Sequence, residues 1–88
     1  MNHQEILFER HNYKGKQQIV KSRNTKGVEQ FFWRRIAKNG NELSRSSETY
    51  DTLAGCLKGF NADCKNAQTW LGGITVGGVR AYQKSLAD

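Results

Sequence analysis

The chain has 88 residues, enough for one domain and too few for two cores. A domain this small buries roughly 60% of the surface its unfolded chain exposes, so its stability is marginal unless a partner, a disulfide or a metal adds to it. It carries 14 Lys and Arg against 8 Asp and Glu, a formal charge of +6, and contains no proline; no apolar run approaches the ~18 residues of a membrane span.

Taken in chain order, Glu5 to Arg10 (EILFER) reads as a short apolar strand. Tyr13 to Lys16 reads as a turn, with Gly15 free to take a positive φ. Gln17 to Ser22 (QQIVKS) reads as a second strand and Asn24 to Gly27 as a second turn. Glu29 to Lys38 alternates, with Phe31, Trp33 and Ala37 on one face and Phe32, Arg34 and Ile36 on the other. Apolar residues on both faces imply that both are partly covered.

Asn39-Gly40 is the strongest local signal. A two-residue type I′ turn needs φ > 0 at both central positions, which Asn and Gly tolerate. It joins the third strand to Asn41–Ser47, a polar arm whose main apolar residue is Leu43. A helix follows, capped by Asp51 or Thr52, whose side-chain oxygens suit the free N–H groups of a first turn. Leu53, Cys56, Leu57, Phe60 and Cys64 form one helical stripe. Gly55 and Gly59 each cost on the order of 1 kcal/mol in a helix relative to Ala, which points to a close approach. Glu48 is expected to close the helix start, and Tyr50 to lie on the sheet. In the tail, Thr69 to Val76 reads as a strand bent at Gly72-Gly73. Gly77-Gly78 then breaks it ahead of a short helix, Val79 to Leu86, built on Val79, Tyr82 and Leu86.

Few residues suggest chemistry. Cys56 and Cys64 are eight apart; on one helix their Cα atoms lie about 12 Å from each other, at 1.5 Å rise per residue, whereas a disulfide needs under about 7 Å. Two cysteines at this spacing make no zinc motif, and they suit a reducing compartment. With no signal-peptide layout in MNHQEILFERHNYK, a cytoplasmic protein is expected. His3 and His11 share a strand face but stand too far apart to hold one metal. Ser46-Ser47-Glu48 has no histidine nearby, Asp51 and Asp63 are separated by a helix, and the GG-ITV-GG pattern lacks the G-x-G-x-x-G spacing of a phosphate loop. An enzyme is not expected, nor a cofactor or a metal.

The charge is uneven. Residues 1–45 hold ten Lys and Arg against four acids, and residues 46–88 four against four. Arg10, Lys14, Lys16, Lys21, Arg23 and Lys26 form a run without an acid, a candidate for meeting phosphate or an acidic surface; the competing reading is a solvated hairpin. The aromatic-basic strand Phe31 to Arg35 offers rings for base stacking and arginines for phosphate, or else a core strand with two solvated arginines.

The segment Phe32 to Ala67, 36 of the 88 residues, resembles the YegP-like domain, a bacterial family without an agreed activity. The resemblance rests on Trp33-Arg34, Ala37-Lys38-Asn39-Gly40, Ser47-Glu48-Thr49-Tyr50, Gly55-Cys56-Leu57-Lys58-Gly59-Phe60 and Lys65-Asn66-Ala67, in that order and spacing. Arg35-Ile36 departs from the family's single branched aliphatic, which implies a rebuilt or bulged sheet face there, and Phe60 replaces a smaller aliphatic. The resemblance implies an α+β domain of three to four antiparallel strands with one helix packed across them. It covers a unit of about residues 5–67, with 68–88 as an extension of the same single domain. Family members often pack two units together; this chain holds one. A homodimer is therefore expected, with Trp70, Leu71, Ile74, Val76 and Tyr82 as its seam.

The expected function is a non-enzymatic, homodimeric module that binds another protein. The alternative is a nucleic-acid binder using Arg10, Lys14, Lys16, Lys21, Arg23 and Lys26 with Arg34, Arg35 and Arg45, or a small inhibitor of a nucleic-acid-processing machine. No membrane partner is expected.

Overall fold

A computed structural model describes residues 3–12, 15–46, 48–67 and 73–87. Strands β1 (His3–Asn12), β2 (Gly15–Arg23), β3 (Glu29–Ala37) and β4 (Glu42–Arg45) precede helices α1 (Leu53–Ala67) and α2 (Val76–Ala87). The strands form one antiparallel sheet in the order β1-β2-β3-β4. Both helices contribute to a single core cluster with Leu7, Ile19 and Trp33, so they share one face of the sheet. The α+β architecture matches the expectation, with two helices on the sheet instead of one. No described helix is long and apolar enough to cross a membrane.

Pairing between β1 and β2 shifts at Leu7. Ile6 faces Val20 and Phe8 faces Ile19, so two residues oppose one, the geometry of a β-bulge. The bulge sends consecutive side chains to the same side: Leu7 is buried in the core and Phe8 packs against it. A regular strand sends neighbours to opposite faces. It also corrects the placing of the histidines. His3 pairs with Arg23 and His11 with Lys16, positions of opposite parity on β2, so the two imidazoles lie on opposite faces.

The reversal after β3 is one residue longer than a type I′ turn. The Ala37 carbonyl accepts from Gly40 N–H at 2.9 Å, and Ala37 N–H donates to Asn41 O at 2.8 Å. The loop is therefore Lys38-Asn39-Gly40, with Gly40 in the left-handed region at φ 91°, the three-residue solution to the same hairpin. A second bulge, with Leu43 extra on β4, falls opposite Arg35 and Ile36. Beyond β4, Tyr50 pairs with Phe31 through two 2.8 Å hydrogen bonds and so lies on the sheet as expected.

Thr52 caps α1, its Oγ1 accepting from Gly55 N–H at 3.1 Å; Glu48 is exposed and does not take that role. Cys56, Leu57, Phe60 and Cys64 are buried and Leu53 is half-buried, which is the stripe expected from spacing. Gly59 answers to a close approach: a Cβ there would collide with the Tyr50 hydroxyl.

The tail corrects the sequence reading most. The described part of the expected strand, residues 73–75, is irregular. Helix α2 begins at Val76 and runs through Gly77-Gly78 instead of after them, because Thr75 caps it: its Oγ1 accepts from Gly78 N–H at 3.0 Å. Val79 is fully buried, while Leu86 is 66% exposed and outside the core. Asn61 of α1 anchors the approach to α2, donating from Nδ2 to Ile74 O at 2.9 Å and accepting at Oδ1 from Ile74 N–H at 2.8 Å.

Candidate functional site

Strand register divides the sheet into two unlike faces. Under the helices, the row Arg10, Gln17, Arg35 and Ser44 crosses all four strands. It lies beneath the C-terminal half of α1, where cations suit the exposed carbonyl end of a helix. Fully buried Gln17 donates to Cys64 Sγ at 3.3 Å and accepts from Arg10 Nε. Arg10 lies 5.7 Å over the Phe60 ring. Arg35 donates to Ser44 Oγ at 2.8 Å and stands 3.6 Å from Asp63 Oδ2. Both arginines are thus engaged in seating α1 on the sheet, which corrects their assignment to a partner-binding set.

No described helix lies on the other face. Ile6, Val20 and Phe32 stand in register across β1, β2 and β3, an apolar row on the uncovered side. Ile6 is 42% exposed, whereas Val20 and Phe32 are buried. The cover over Phe32 is cationic: the Arg45 guanidinium lies 5.0 Å and that of Arg34 5.9 Å from its ring centroid. Beside this row runs a polar chain. Glu9 receives Lys16 at 3.2 Å and Gln18 Nε2 at 3.3 Å, with His11 3.4 Å away. Gln18 Oε1 accepts from Arg34 Nε at 2.6 Å, and Arg45 pairs with Glu42 at 2.9 Å. Partial burial alone raises the Glu9 carboxyl's pKa; the hydrogen bonds from Lys16 and Gln18, with the charges of Lys16 and His11, outweigh it and hold that pKa below its ordinary value. A depression of about 340 Å³ adjoins Phe32 and Arg45, lined also by Gln4, Ser22, Gln30 and Thr49.

The nine expected contact residues do not form one surface. Lys16, Arg34 and Arg45 share the open face. Lys21 and Arg23 fall on the helix-side parity, paired with Glu5 at 3.2 Å and Glu29 at 2.6 Å. Lys26 is exposed in the β2–β3 turn, and Lys14 lies outside the described residues. The expected seam is likewise corrected. Ile74 is buried in the chain's own core, Val76 packs against it, and Tyr82 meets Phe8 with ring centroids 5.1 Å apart. Trp70 and Leu71 lie outside the described residues.

Of the residues considered for chemistry, Ser46 and both cysteines are buried. Ser46 Oγ donates to Glu48 O at 2.9 Å and accepts from Trp33 N–H. The cysteines are free, and burial pushes the Cys56 thiol up to about 12. Among the described residues no three His, Cys, Asp or Glu side chains are grouped to hold a metal ion. Gln18, Glu9, Ile6 and Val20 were missed as parts of a surface. Their signal, period-2 alternation with Ile19 on the opposite face, is present in the chain but hidden by the bulge that shifts β1.

The fold defines a four-stranded antiparallel sheet with helices on one face and an open, mixed-charge surface on the other. Comparison with protein-family models, curated proteins and solved structures found no match.

Proposed function

We propose that the chain is a non-enzymatic interaction module that binds another protein through the open face of its sheet. The observation that carries this reading is Ile6, 42% exposed in register with buried Val20 and Phe32 on a face that no described helix covers. Charge favours protein over nucleic acid. Lys16, Arg34 and Arg45 on this face are matched by Glu9 and Glu42, with Glu48 at the depression's rim. A phosphate backbone calls for a one-signed stripe, and Phe32, 5% exposed, does not offer its ring for stacking.

A photo-crosslinking residue at Ile6 should yield a discrete protein adduct in the native host, and the same residue at Lys58 on the exposed side of α1 should not. Adducts from both positions, or a nucleic-acid adduct from Ile6, would refute the reading. Mixed-sequence oligonucleotides should fail to bind at roughly 50 mM salt.

Homodimerisation belongs to the same proposal, with its seam moved. Ile74, Val76 and Val79 of the tail are packed within the chain, whereas β1 is a ten-residue outer strand, and such an edge is a template for pairing with a second copy. Sedimentation at tens of micromolar should show a dimer; a single 10.0 kDa species ends that part of the proposal. A reducing, cytoplasmic setting suits the two free thiols.

A further inference from the structure

Arg34 of β3 and Arg45 of β4 are directly opposite one another across the sheet. Like charges in that position destabilise a strand pair, and an anion received between them would relieve that repulsion. Each guanidinium lies over the same ring, Phe32, and Gln18 fixes Arg34 further through a 2.6 Å hydrogen bond. The two cations are therefore held in place and aimed to the same side. Among the described residues no carboxylate pairs with Arg34. The pairing of Arg45 with Glu42 is a surface contact, with side chains 52% and 42% exposed, of the weak and replaceable kind.

We propose that Arg34 and Arg45 together receive the carboxylate of an aspartate or glutamate from an acidic peptide segment of the partner. This rests on the open face being the protein-binding surface, and it names the chemistry that surface reads. A guanidinium pair matches a planar carboxylate with paired hydrogen bonds. The adjoining depression of about 340 Å³, lined by the Gln4 and Gln30 amides and the Ser22 and Thr49 hydroxyls, offers donors and acceptors to the peptide main chain beside that side chain. Glu42 pairs with Arg45 and Glu48 lines the adjoining depression, so the site suits one carboxylate and disfavours a run of phosphates.

The test selects peptides from a random library on the immobilised full chain and measures the selected peptides, as free synthetic probes, by fluorescence anisotropy. The expected peptides share an acidic position. Changing that residue to its amide, or changing Arg34→Gln in the chain, weakens binding roughly ten- to a hundredfold. Making both changes together costs no more than either alone, the signature of one shared contact. Arg34→Lys keeps the charge, loses the planar fork and recovers only part of the affinity. Peptides that bind the open face, shown by loss on Ile6→Asp, without an acidic position or without this coupling overturn the proposal and leave the interaction reading standing. Peptides insensitive to Ile6→Asp, or no selected peptide at all, overturn both. An oligonucleotide that binds at roughly 50 mM salt and is lost on Arg34→Gln makes the anion a phosphate and also overturns it.

Discussion

Trp33 and Phe32 are neighbours on β3, point to opposite faces, and are buried almost equally, at 7% and 5% exposed. Their covers differ in kind. Trp33 lies in the core beneath α1, with Phe60 edge-on at 6.1 Å between ring centroids. Phe32 is closed over by Arg34 and Arg45. An apolar cover is held by the same burial that holds the fold. A cover of long cationic arms presents charged heads to solvent while their stems shield the ring. Two similar exposures therefore mark a core residue on one face and a ring roofed by cations on the other, and the chemistry of the cover separates them.

Four substitutions and one pH experiment break or sharpen this contrast. The largest effect is expected on the helix side: Phe60→Ala empties a fully buried site and should cost about 3–5 kcal/mol in urea unfolding. A loss below about 1 kcal/mol would mean α1 is not seated as described. Phe32→Ala should cost less, about 1.5–3 kcal/mol, since its cover can close over the gap; a loss equal to that of Phe60→Ala would make the open face a second core. Asn61→Ala removes both hydrogen bonds to Ile74 and should cost about 1–2 kcal/mol, with faster amide exchange confined first to α2. Unchanged exchange there would show that the Asn61 clamp does not hold the tail.

The alkaline limb tests the core through Cys56. The folded thiol keeps its proton up to about 12, while the unfolded thiol ionises near 9.0. Between these values the unfolded chain binds fewer protons, so stability falls as pH rises. Cys56→Ala should flatten that slope, and an unaltered slope would place the thiol in contact with water. The smallest effect is expected on the open face: Arg34→Gln loses its hydrogen bond to buried Gln18 and should cost about 0.5–1.5 kcal/mol while weakening peptide binding. A larger destabilisation would make that arginine part of the fold instead of the surface.

Much of the architecture was legible in the chain. Alternation at Phe31, Trp33 and Phe32 placed β3 and its two faces. Gly40 marked the hairpin, although not the length of its loop. The stripe from Leu53 to Cys64 placed α1, and Thr52 was among its expected caps. The seam was misread because Ile74, Val76 and Tyr82 look orphaned in sequence; their partners, Phe8 of β1 and the inner side of α1, arrive from far along the chain. The candidate site was half legible. Arg34 and Arg45 stood out as basic residues, but a charge count does not tell which carboxylate or ring each will meet.

Local order is a property of neighbours. The period of apolar positions, turn glycines and capping hydroxyls act within a few residues, and from these the chain alone determined the run of strands, the hairpin at Gly40 and an amphipathic helix. Only the tertiary structure decided that Leu7 bulges so that Leu7 and Phe8 both turn inward, that Arg10 and Arg35 bind beneath a helix while Arg34 and Arg45 face out, and that the tail folds onto its own core. Those outcomes depend on contacts such as Arg10 with Cys64, 54 positions apart, and contacts at that separation exist only once the sheet and helices have met.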